Sequence, residues 1–278
     1  MGCVMRIEFT KMSGAGNDFV VVDNRDRKIR NGARVARILC DRRWGIGADG
    51  LLLLQKSRKA DYRMLYYNAD GSYGGMCGNG GRCIASFAVR KKIAPASHVF
   101  EALDYLYKAD VGAEEVILRM KNPTGLRIGR QIGLASGRLT VASVNTGSPH
   151  VVVKVADIGR NRNLMSTLDV IRLGREIRYH RAFKPDGTNV NFIEVAGANS
   201  IRIRTYERGV EDETLACGTG SIASALVASM IWKMRNPVTV IPRSGRRLQV
   251  LFDMKEGGFT NIRLKGPAEV TFSGFVDI

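Results

Sequence analysis

A near-repeat of four residues divides the 278-residue chain into two similar halves. The motif Cys77-Gly78-Asn79-Gly80 precedes one apolar, helix-like segment, and Cys217-Gly218-Thr219-Gly220 precedes another about half a chain length later. Self-similarity at such a spacing indicates an internally duplicated fold. We therefore predict two domains of similar architecture, residues 1–122 with 268–278 returning as the last strand, and residues 123–267.

The spacing of apolar residues predicts the fold class. Short runs rich in Val, Ile and aromatic residues, bounded by Gly, Asn, Asp or Pro, outnumber helical patterns roughly three to one. The helical patterns cover residues 32–40, 80–91, 167–177 and 219–234. Strands and helices do not alternate regularly, which argues against a doubly wound fold. We predict an α+β (mixed α/β) fold in which each mixed or antiparallel sheet packs on a long helix.

The composition restricts the partners. The chain carries 43 basic and 26 acidic residues, a net charge of +17. This charge is spread along the sequence, and its densest stretches lack the interleaved aromatic residues of a base-stacking surface. No apolar run approaches the ~18 residues of a membrane span, and no signal peptide is recognisable. We predict a cytoplasmic protein with neither a nucleic-acid nor a membrane partner.

The cysteines indicate free thiols. Five cysteines are an odd number, and without an export signal a reducing compartment is the natural setting. Their spacing and the three scattered histidines match no zinc site, so we predict no metal. Cys3 and Cys40 lack a glycine-rich or cationic setting, and Cys83 falls inside a helical pattern. We predict that these three are ordinary or packed thiols.

Cys77 and Cys217 are candidates for chemistry because each follows a strand and begins a glycine-rich helix start. Converging N–H groups and the helix dipole bind anions there and favour a thiolate. If the two ends face each other, one thiolate can remove a proton from the carbon beside a carboxylate while the other thiol returns one. The enolate charge would rest on the backbone donors. Glu207 and Arg208 suit a zwitterionic ligand.

Six segments together resemble the diaminopimelate epimerase family. The paired Met-Cys-Gly-Asn-Gly and Ala-Cys-Gly-Thr-Gly motifs are its most specific features. The matching segments run in family order across nearly the whole chain: residues 11–19, 40–50, 68–83, 147–150, 187–192 and 206–220.

The resemblance implies two domains, each a sheet rolled around a central helix, with the active site in the cleft between them. It implies cofactor-independent conversion of LL- to meso-diaminopimelate, in lysine and cell-wall precursor synthesis, by a homodimer. It implies Cys77 and Cys217 as the catalytic pair, with His150 and Glu207 tuning the thiols. The implied substrate-binding residues are Asn17, Asn68, Gly78, Asn79, Asn189, Glu207, Arg208, Gly218 and Thr219.

Two alternatives stay open at this point. A proline or hydroxyproline racemase also uses two thiols, but a cyclic imino acid would leave Asn68, Asn189 and Arg208 without a ligand group. A basic RNA- or anion-binding protein with the duplicated fold would need neither cysteine. The chain also departs from the family in two places. Ser148 stands where the family often has Asn, and residues 211–213 include an extra acidic residue.

Overall fold

The computed structural model describes residues 4–159, 163–256 and 258–278. Cys3, predicted to be an ordinary thiol, lies outside them. The chain forms two compact units, Met1–Arg119 with Lys265–Ile278, and Met120–Leu264. We call them the N-terminal and C-terminal units.

The N-terminal unit contains two helices, α1 (Gly32–Cys40) and α2 (Gly78–Arg90). Its strands are β1 (Arg6–Gly14), β2 (Asn17–Asp23), β3 (Gly50–Gln55), β4 (Tyr62–Asn68), β5 (Ser97–Ala102), β6 (Tyr105–Val111), β7 (Glu115–Arg119) and β17 (Glu269–Asp277). Strand β17 returns to pair antiparallel with β1.

The C-terminal unit contains α3 (Leu164–Thr167), α4 (Val170–Arg178) and α5 (Gly218–Trp232). Its strands are β8 (Thr124–Leu134), β9 (Gly137–Asn145), β10 (Pro149–Lys154), β11 (Asn189–Gly197), β12 (Ser200–Glu207), β13 (Asp212–Thr214), β14 (Val238–Ile241) and β15 (Leu248–Lys255). Strand β16 (Gly258–Pro267) runs from this unit into the segment that belongs to the N-terminal unit.

The two units pair their strands in the same order. In the N-terminal unit β1–β2 is antiparallel, β2–β3 parallel, β3–β4 antiparallel, β4–β5 parallel and β5–β6 antiparallel. The C-terminal unit repeats this sequence with β9, β10, β11, β12, β14 and β15. In both, a helix lies in each connection between parallel strands, as such crossovers require. The predicted α+β class is confirmed.

One helix in each unit is surrounded by strands. Helix α2 packs against β1, β2, β3, β4, β6 and β7, and α5 packs against β9, β10, β11, β12, β14 and β15. Most of each helix is buried, including the whole segment Gly78–Ala88 of α2. Helix α5 is apolar around its entire circumference, as a helix enclosed on all sides must be. These two helices begin directly after Cys77 and Cys217.

The outer faces of the sheets are covered as well. Helix α1 packs on β2, β3 and β4, and α4 packs on β11 and β12. Burial on both faces explains why Leu51–Leu54 of β3 is a continuous apolar run instead of an alternating one, since all four side chains are at most 1% exposed. Cys40, at the end of α1, lies in this outer core.

The helix predicted over 167–177 is observed as α4, which begins three residues later and follows the short separate helix α3. Asp169 caps the second helix by accepting a hydrogen bond from Arg172 N–H at 3.0 Å. Strands β6, β8 and β13 were not predicted. Most residues of β8 are exposed, and Gly129 and Arg130 interrupt its alternating apolar residues. Within the described residues, no helix has the length and apolar character needed to cross a bilayer.

Candidate active site

Cys77 occupies the N-cap of α2. Its backbone is extended (φ −118°, ψ 125°), and Gly78 is the first helical residue. The N–H groups of the first turn therefore have no intrahelical acceptor and point out of the helix beside the thiol. Gly78 and Asn79 are buried, whereas Cys77 is only partly so. The helix end supplies the anion-binding amides that the sequence predicts beside this cysteine.

The Cys77 thiol faces the side chain of Asn17, the first residue of β2. Sγ of Cys77 lies 3.6 Å from Oδ1 of Asn17. The other end of the Asn17 amide donates from Nδ2 to Oδ2 of Asp49 at 2.5 Å. Because an ionised carboxylate only accepts, Asp49 fixes the amide with its nitrogen toward Asp49 and its oxygen toward Cys77. The thiol is therefore held next to an acceptor.

A partly buried network of charged side chains supports this contact. Lys11 is 6% exposed and donates to the backbone carbonyl of Gly47 and to Asp18. Arg42 bridges Asp18 and Asp49 at 2.9 and 2.8 Å. Burial opposes ionisation of Asp18, but the hydrogen bonds from Arg42 and Lys11 outweigh it and lower its pKa to about 2. Asp18, which shares Arg42 with Asp49, is thus held in its charged form.

Arg82 is a site residue that the sequence reasoning missed. It is fully buried and donates to the Gly78 carbonyl (3.2 Å), to Oδ1 of Asn79 (2.9 Å) and to the Pro267 carbonyl (3.3 Å). Burial lowers the pKa of its guanidinium below the ordinary value. The guanidinium fixes the first turn of α2 and places positive charge beneath it. The sequence feature that could have indicated Arg82 is the presence of an arginine in a glycine-rich helix start whose buried face is otherwise apolar.

The other candidates in this unit have separate surroundings. Asn68 ends β4, and its amide donates to the Ser72 hydroxyl at 2.9 Å in an exposed turn. Cys83 is fully buried in α2, and burial raises its pKa to about 12. Burial likewise raises the pKa of Cys40 to about 12. The prediction that Cys40 and Cys83 are ordinary packed thiols is confirmed.

Cys217 repeats the position of Cys77 at the N-cap of α5. Its backbone is nearly identical (φ −119°, ψ 116°). Its sulfur accepts a hydrogen bond from the Gly220 N–H at 3.3 Å, so the thiol itself caps the helix. A Cβ at Gly220 would lie 2.4 Å from Oδ1 of Asn191, which explains the glycine in this motif. Cys217 is 7% exposed.

A row of polar side chains leads from Cys217 to His150. Oγ1 of Thr219 lies 3.5 Å from Sγ of Cys217, and Oγ of Ser148 lies 3.4 Å from Oγ1 of Thr219. Oγ of Ser148 is also 3.0 Å from Nε2 of His150 on β10. His150 therefore reaches Cys217 through two hydroxyls, one of them on the serine that departs from the family pattern.

Asn189 and Arg208 are joined to each other. Nδ2 of Asn189 donates to the Pro149 carbonyl at 2.9 Å, and its Oδ1 accepts from the Arg208 N–H at 2.9 Å. The half-buried Arg208 side chain also donates to the Asp186 carbonyl at 3.4 Å. Asn189 is 4% exposed, so it positions the backbone that carries Arg208.

Glu207 ends β12, and the acidic residues beyond it form ion pairs. Oε2 of Glu207 accepts from the Thr214 hydroxyl at 3.0 Å. Glu211 pairs with Arg178 at 3.2 Å, and Glu213 pairs with Arg204 at 2.6 Å. The acidic residues at 211 and 213 therefore stabilise the turn after β12.

His150 is buried as a neutral imidazole. Burial, with a smaller effect of Arg208, lowers its pKa from 6.5 to about 3. Above pH 6.5 the folded and unfolded states both hold it neutral. Below pH 6.5 only the unfolded state gains the proton, so stability falls as the pH falls toward 3.

We expect His150→Gln to remove this part of the acid sensitivity. Between pH 7 and pH 5 the histidine should cost the wild-type protein about 2 kcal/mol of unfolding free energy, since each pH unit below 6.5 corresponds to about 1.4 kcal/mol. Urea unfolding of both proteins at the two pH values measures the difference. An equal loss of stability in both would show that His150 binds a proton in the folded state.

Each unit thus presents a thiol at the N-terminus of its enclosed helix. Among the described residues, no group of three or more His, Cys, Asp or Glu side chains could hold a metal ion. The chemistry available to these ends is proton transfer by sulfur beside a bound anion.

The doubled fold is the two-domain fold of PhzF-family and proline-racemase-type proteins. Solved structures share the fold. A PhzF-family phenazine biosynthesis protein of Bacillus anthracis has a TM-score of 0.76 at 17% identity, covering 99% of this chain and 100% of that one. A probable proline racemase of Agrobacterium radiobacter has a TM-score of 0.72 at 18% identity, covering 98% and 92%.

The sequence comparisons give the family. The family model described as "Diaminopimelate epimerase" matches residues 9–119 and 142–268. A diaminopimelate epimerase of Chlorobaculum tepidum is 45% identical over 271 residues, covering 96% of this chain and 100% of the relative. That of Flavobacterium psychrophilum is 42% identical over 264 residues, covering 94% and 97%. The chain belongs to the diaminopimelate epimerase family.

Proposed function

We propose that this protein interconverts LL- and meso-2,6-diaminopimelate without a cofactor, as an isomerase of lysine and cell-wall precursor synthesis. The observation that carries the proposal is the pair of cysteines at matching N-caps of the two enclosed helices. The family membership supplies the substrate. Since the reaction uses two reduced cysteines, the proposed location is the cytoplasm. The family resemblance suggests a homodimer.

The proposed reaction is a proton exchange at one α-carbon. The thiolate of one cysteine forms an S–H bond to the α-proton, and the electron pair of the broken C–H bond moves into the carboxylate. The thiol of the other cysteine, on the opposite face, then gives its proton to that carbon. One cysteine gains the proton that the other loses, so the two thiols end the reaction in the reversed protonation state. This is the state that binds meso-diaminopimelate in the reverse direction. Inversion follows because removal and return occur on opposite faces.

The helix ends supply the electrostatic stabilisation in this proposal. Charge that develops on the substrate carboxylate would be met by first-turn N–H groups at Gly78, Asn79, Gly218 and Thr219. Fixed donors in a site that excludes water stabilise such charge more strongly than water does. The buried guanidinium of Arg82, which fixes Asn79, adds positive charge at one of these ends.

The distal end of the substrate requires charged and polar partners. Diaminopimelate carries a second ammonium and a second carboxylate, and we propose Asn68, Asn189, Glu207 and Arg208 for them. Asn17, beside the Cys77 thiol, would contact the substrate at the reacting end. Arg208 is the cation of this set, and Asn189 holds its backbone.

The assay that tests the proposal compares substrates of different length. Purified protein should epimerise LL-diaminopimelate, measured by chiral chromatography, and should leave L-proline and trans-4-hydroxy-L-proline unchanged. Racemisation of proline with no action on diaminopimelate would favour the alternative racemase. Absence of any α-proton exchange would favour a binding protein that retained the fold.

We expect Asp49→Asn to slow epimerisation by roughly three- to tenfold, the value of one net hydrogen bond. An asparagine can present either end of its amide, so Asn17 is no longer fixed with its oxygen toward Cys77. The measurement is kcat/KM for diaminopimelate. Asp23→Asn is the matched control, because Asp23 lies on β2, the strand that carries Asn17, and like Asp49 pairs with an arginine, Arg25. Equal kcat/KM in both variants would contradict the role of Asp49.

A further inference from the structure

The hydroxyl of Ser148 contacts three polar side chains. Its hydroxyl lies within hydrogen-bond distance of His150, Thr219 and Nδ2 of Asn189, the last at 3.3 Å. A hydroxyl has one proton to donate and can accept two. The positions of the protons on its neighbours therefore determine which group donates and which accepts in each hydrogen bond between His150 and Cys217.

The proton of His150 is on Nε2. Nδ2 of Asn191 donates to the Val151 carbonyl at 3.0 Å, which identifies that atom as the amide nitrogen. The same nitrogen lies 3.1 Å from Nδ1 of His150. Since an amide nitrogen only donates, Nδ1 is the acceptor, and in a neutral imidazole the proton must then be on Nε2. His150 consequently donates to Ser148.

The proton of Ser148 points to Thr219. Asn189 Nδ2 is identified as the amide nitrogen by its hydrogen bond to the Pro149 carbonyl at 2.9 Å. Ser148 thus accepts from both His150 and Asn189, and its own proton is left for Oγ1 of Thr219. Thr219, now an acceptor from Ser148, has its own proton free for Sγ of Cys217.

The two thiols make different hydrogen bonds. Cys217 receives a donor from Thr219 and another from the Gly220 N–H. Cys77 faces the acceptor oxygen of Asn17. Donors directed at sulfur stabilise a thiolate, whereas an acceptor stabilises the protonated thiol.

We propose that the row His150–Ser148–Thr219 is a directed hydrogen-bond relay that keeps Cys217 as the thiolate in the unliganded protein, with Ser148 as its positioning residue. The proposal rests on the proposed function in that it takes Cys217 to be a reacting thiol. Ser148, at the departure from the family pattern, here links the buried histidine to the sulfur.

Charged groups at this end of the C-terminal unit do not replace the relay. His150 is neutral. The negative Glu207 at the end of β12 disfavours a thiolate, and the positive Arg208 after it favours one. Helix α5 has no acidic residue in its first turn. The oriented donors of Thr219 and Gly220 lie within hydrogen-bond distance of the Cys217 sulfur and favour its thiolate.

The test measures how fast iodoacetamide alkylates Cys217 as a function of pH, followed by peptide mass spectrometry without substrate. The pH of half-maximal rate reports ionisation of the thiol and is independent of its accessibility. Ser148→Ala should raise this pH by about half to one unit, the shift that matches one net hydrogen bond. Ser148→Thr keeps the hydroxyl and should restore the wild-type value. Ser166→Ala, whose hydroxyl bonds only the Asn163 carbonyl in α3, should not change it.

A double variant separates a relay from independent contacts. Thr219→Val removes the last donor and should raise the half-maximal pH at least as much as Ser148→Ala. Because Ser148 acts through Thr219, Ser148→Ala combined with Thr219→Val should shift it no further than Thr219→Val alone. Additive shifts, or an unchanged value in Ser148→Ala, would overturn the relay. Since this readout needs no epimerisation, loss of the proposed activity alone would leave it measurable.

Discussion

Cys77→Ser and Cys217→Ser are each expected to reduce epimerisation at least ~10²-fold, the lower end for removal of a positioned acid or base. A serine hydroxyl is too weakly acidic to act as a base in the resting protein, and either cysteine must act as base in one reaction direction. Each variant should keep the fold, because the side chains differ by one atom at an N-cap where serine is favourable. The measurement is kcat for diaminopimelate beside thermal unfolding.

Cys83→Ala is the matched control for these variants. Cys83 lies in the same helix as Cys77, is fully buried and has its pKa raised to about 12. It should retain near wild-type turnover. Near wild-type turnover in Cys77→Ser or Cys217→Ser would instead remove that cysteine from the reaction.

Arg208→Ala should weaken kcat/KM for diaminopimelate by roughly ten- to a hundredfold. A hydrogen bond to a charged group is worth about 1.5–3 kcal/mol, and about 1.4 kcal/mol corresponds to a factor of ten. The half-buried guanidinium is the cation available for a distal carboxylate in the proposed site. Alkylation of Cys77 should proceed at the wild-type rate, because the change affects recognition and not that thiol.

Arg202→Ala provides the comparison for this second prediction. Arg202 lies on the same strand, β12, but is exposed and pairs with Glu194 at 3.1 Å. It should leave kcat/KM unchanged. If Arg208→Ala behaves like Arg202→Ala, Arg208 only stabilises the turn through the Asp186 carbonyl.

Local sequence signals predicted the enclosed helices and their starts. Glycines directly after Cys77 and Cys217 mark where a strand ends and a helix begins, and α2 and α5 start at Gly78 and Gly218. The apolar periodicity of residues 32–40 gave α1 with its observed bounds. These features depend on residues close together in the chain, where spacing and turn chemistry determine the backbone.

Contacts between distant residues could not be predicted in this way. Asn17 and Asp49 are 32 positions apart, and Ser148 and Thr219 are 71 apart. Only the strand pairing brings them together, β2 with β3 in the first case. Arg82 was missed for a different reason. Burial of an arginine without a carboxylate contradicts the usual rule for charged residues, and its acceptors are backbone and amide oxygens.

The most direct test of the two-thiol account is epimerisation of LL-diaminopimelate in D₂O, stopped at early conversion. One cysteine is a thiolate and takes the substrate proton, and the other is a thiol whose proton has exchanged with the solvent and passes to the product. The account predicts one deuterium at the inverted α-carbon of meso-diaminopimelate and almost none in the remaining LL substrate. Equal labelling of recovered substrate and product would show a single base acting on both faces, and would contradict it.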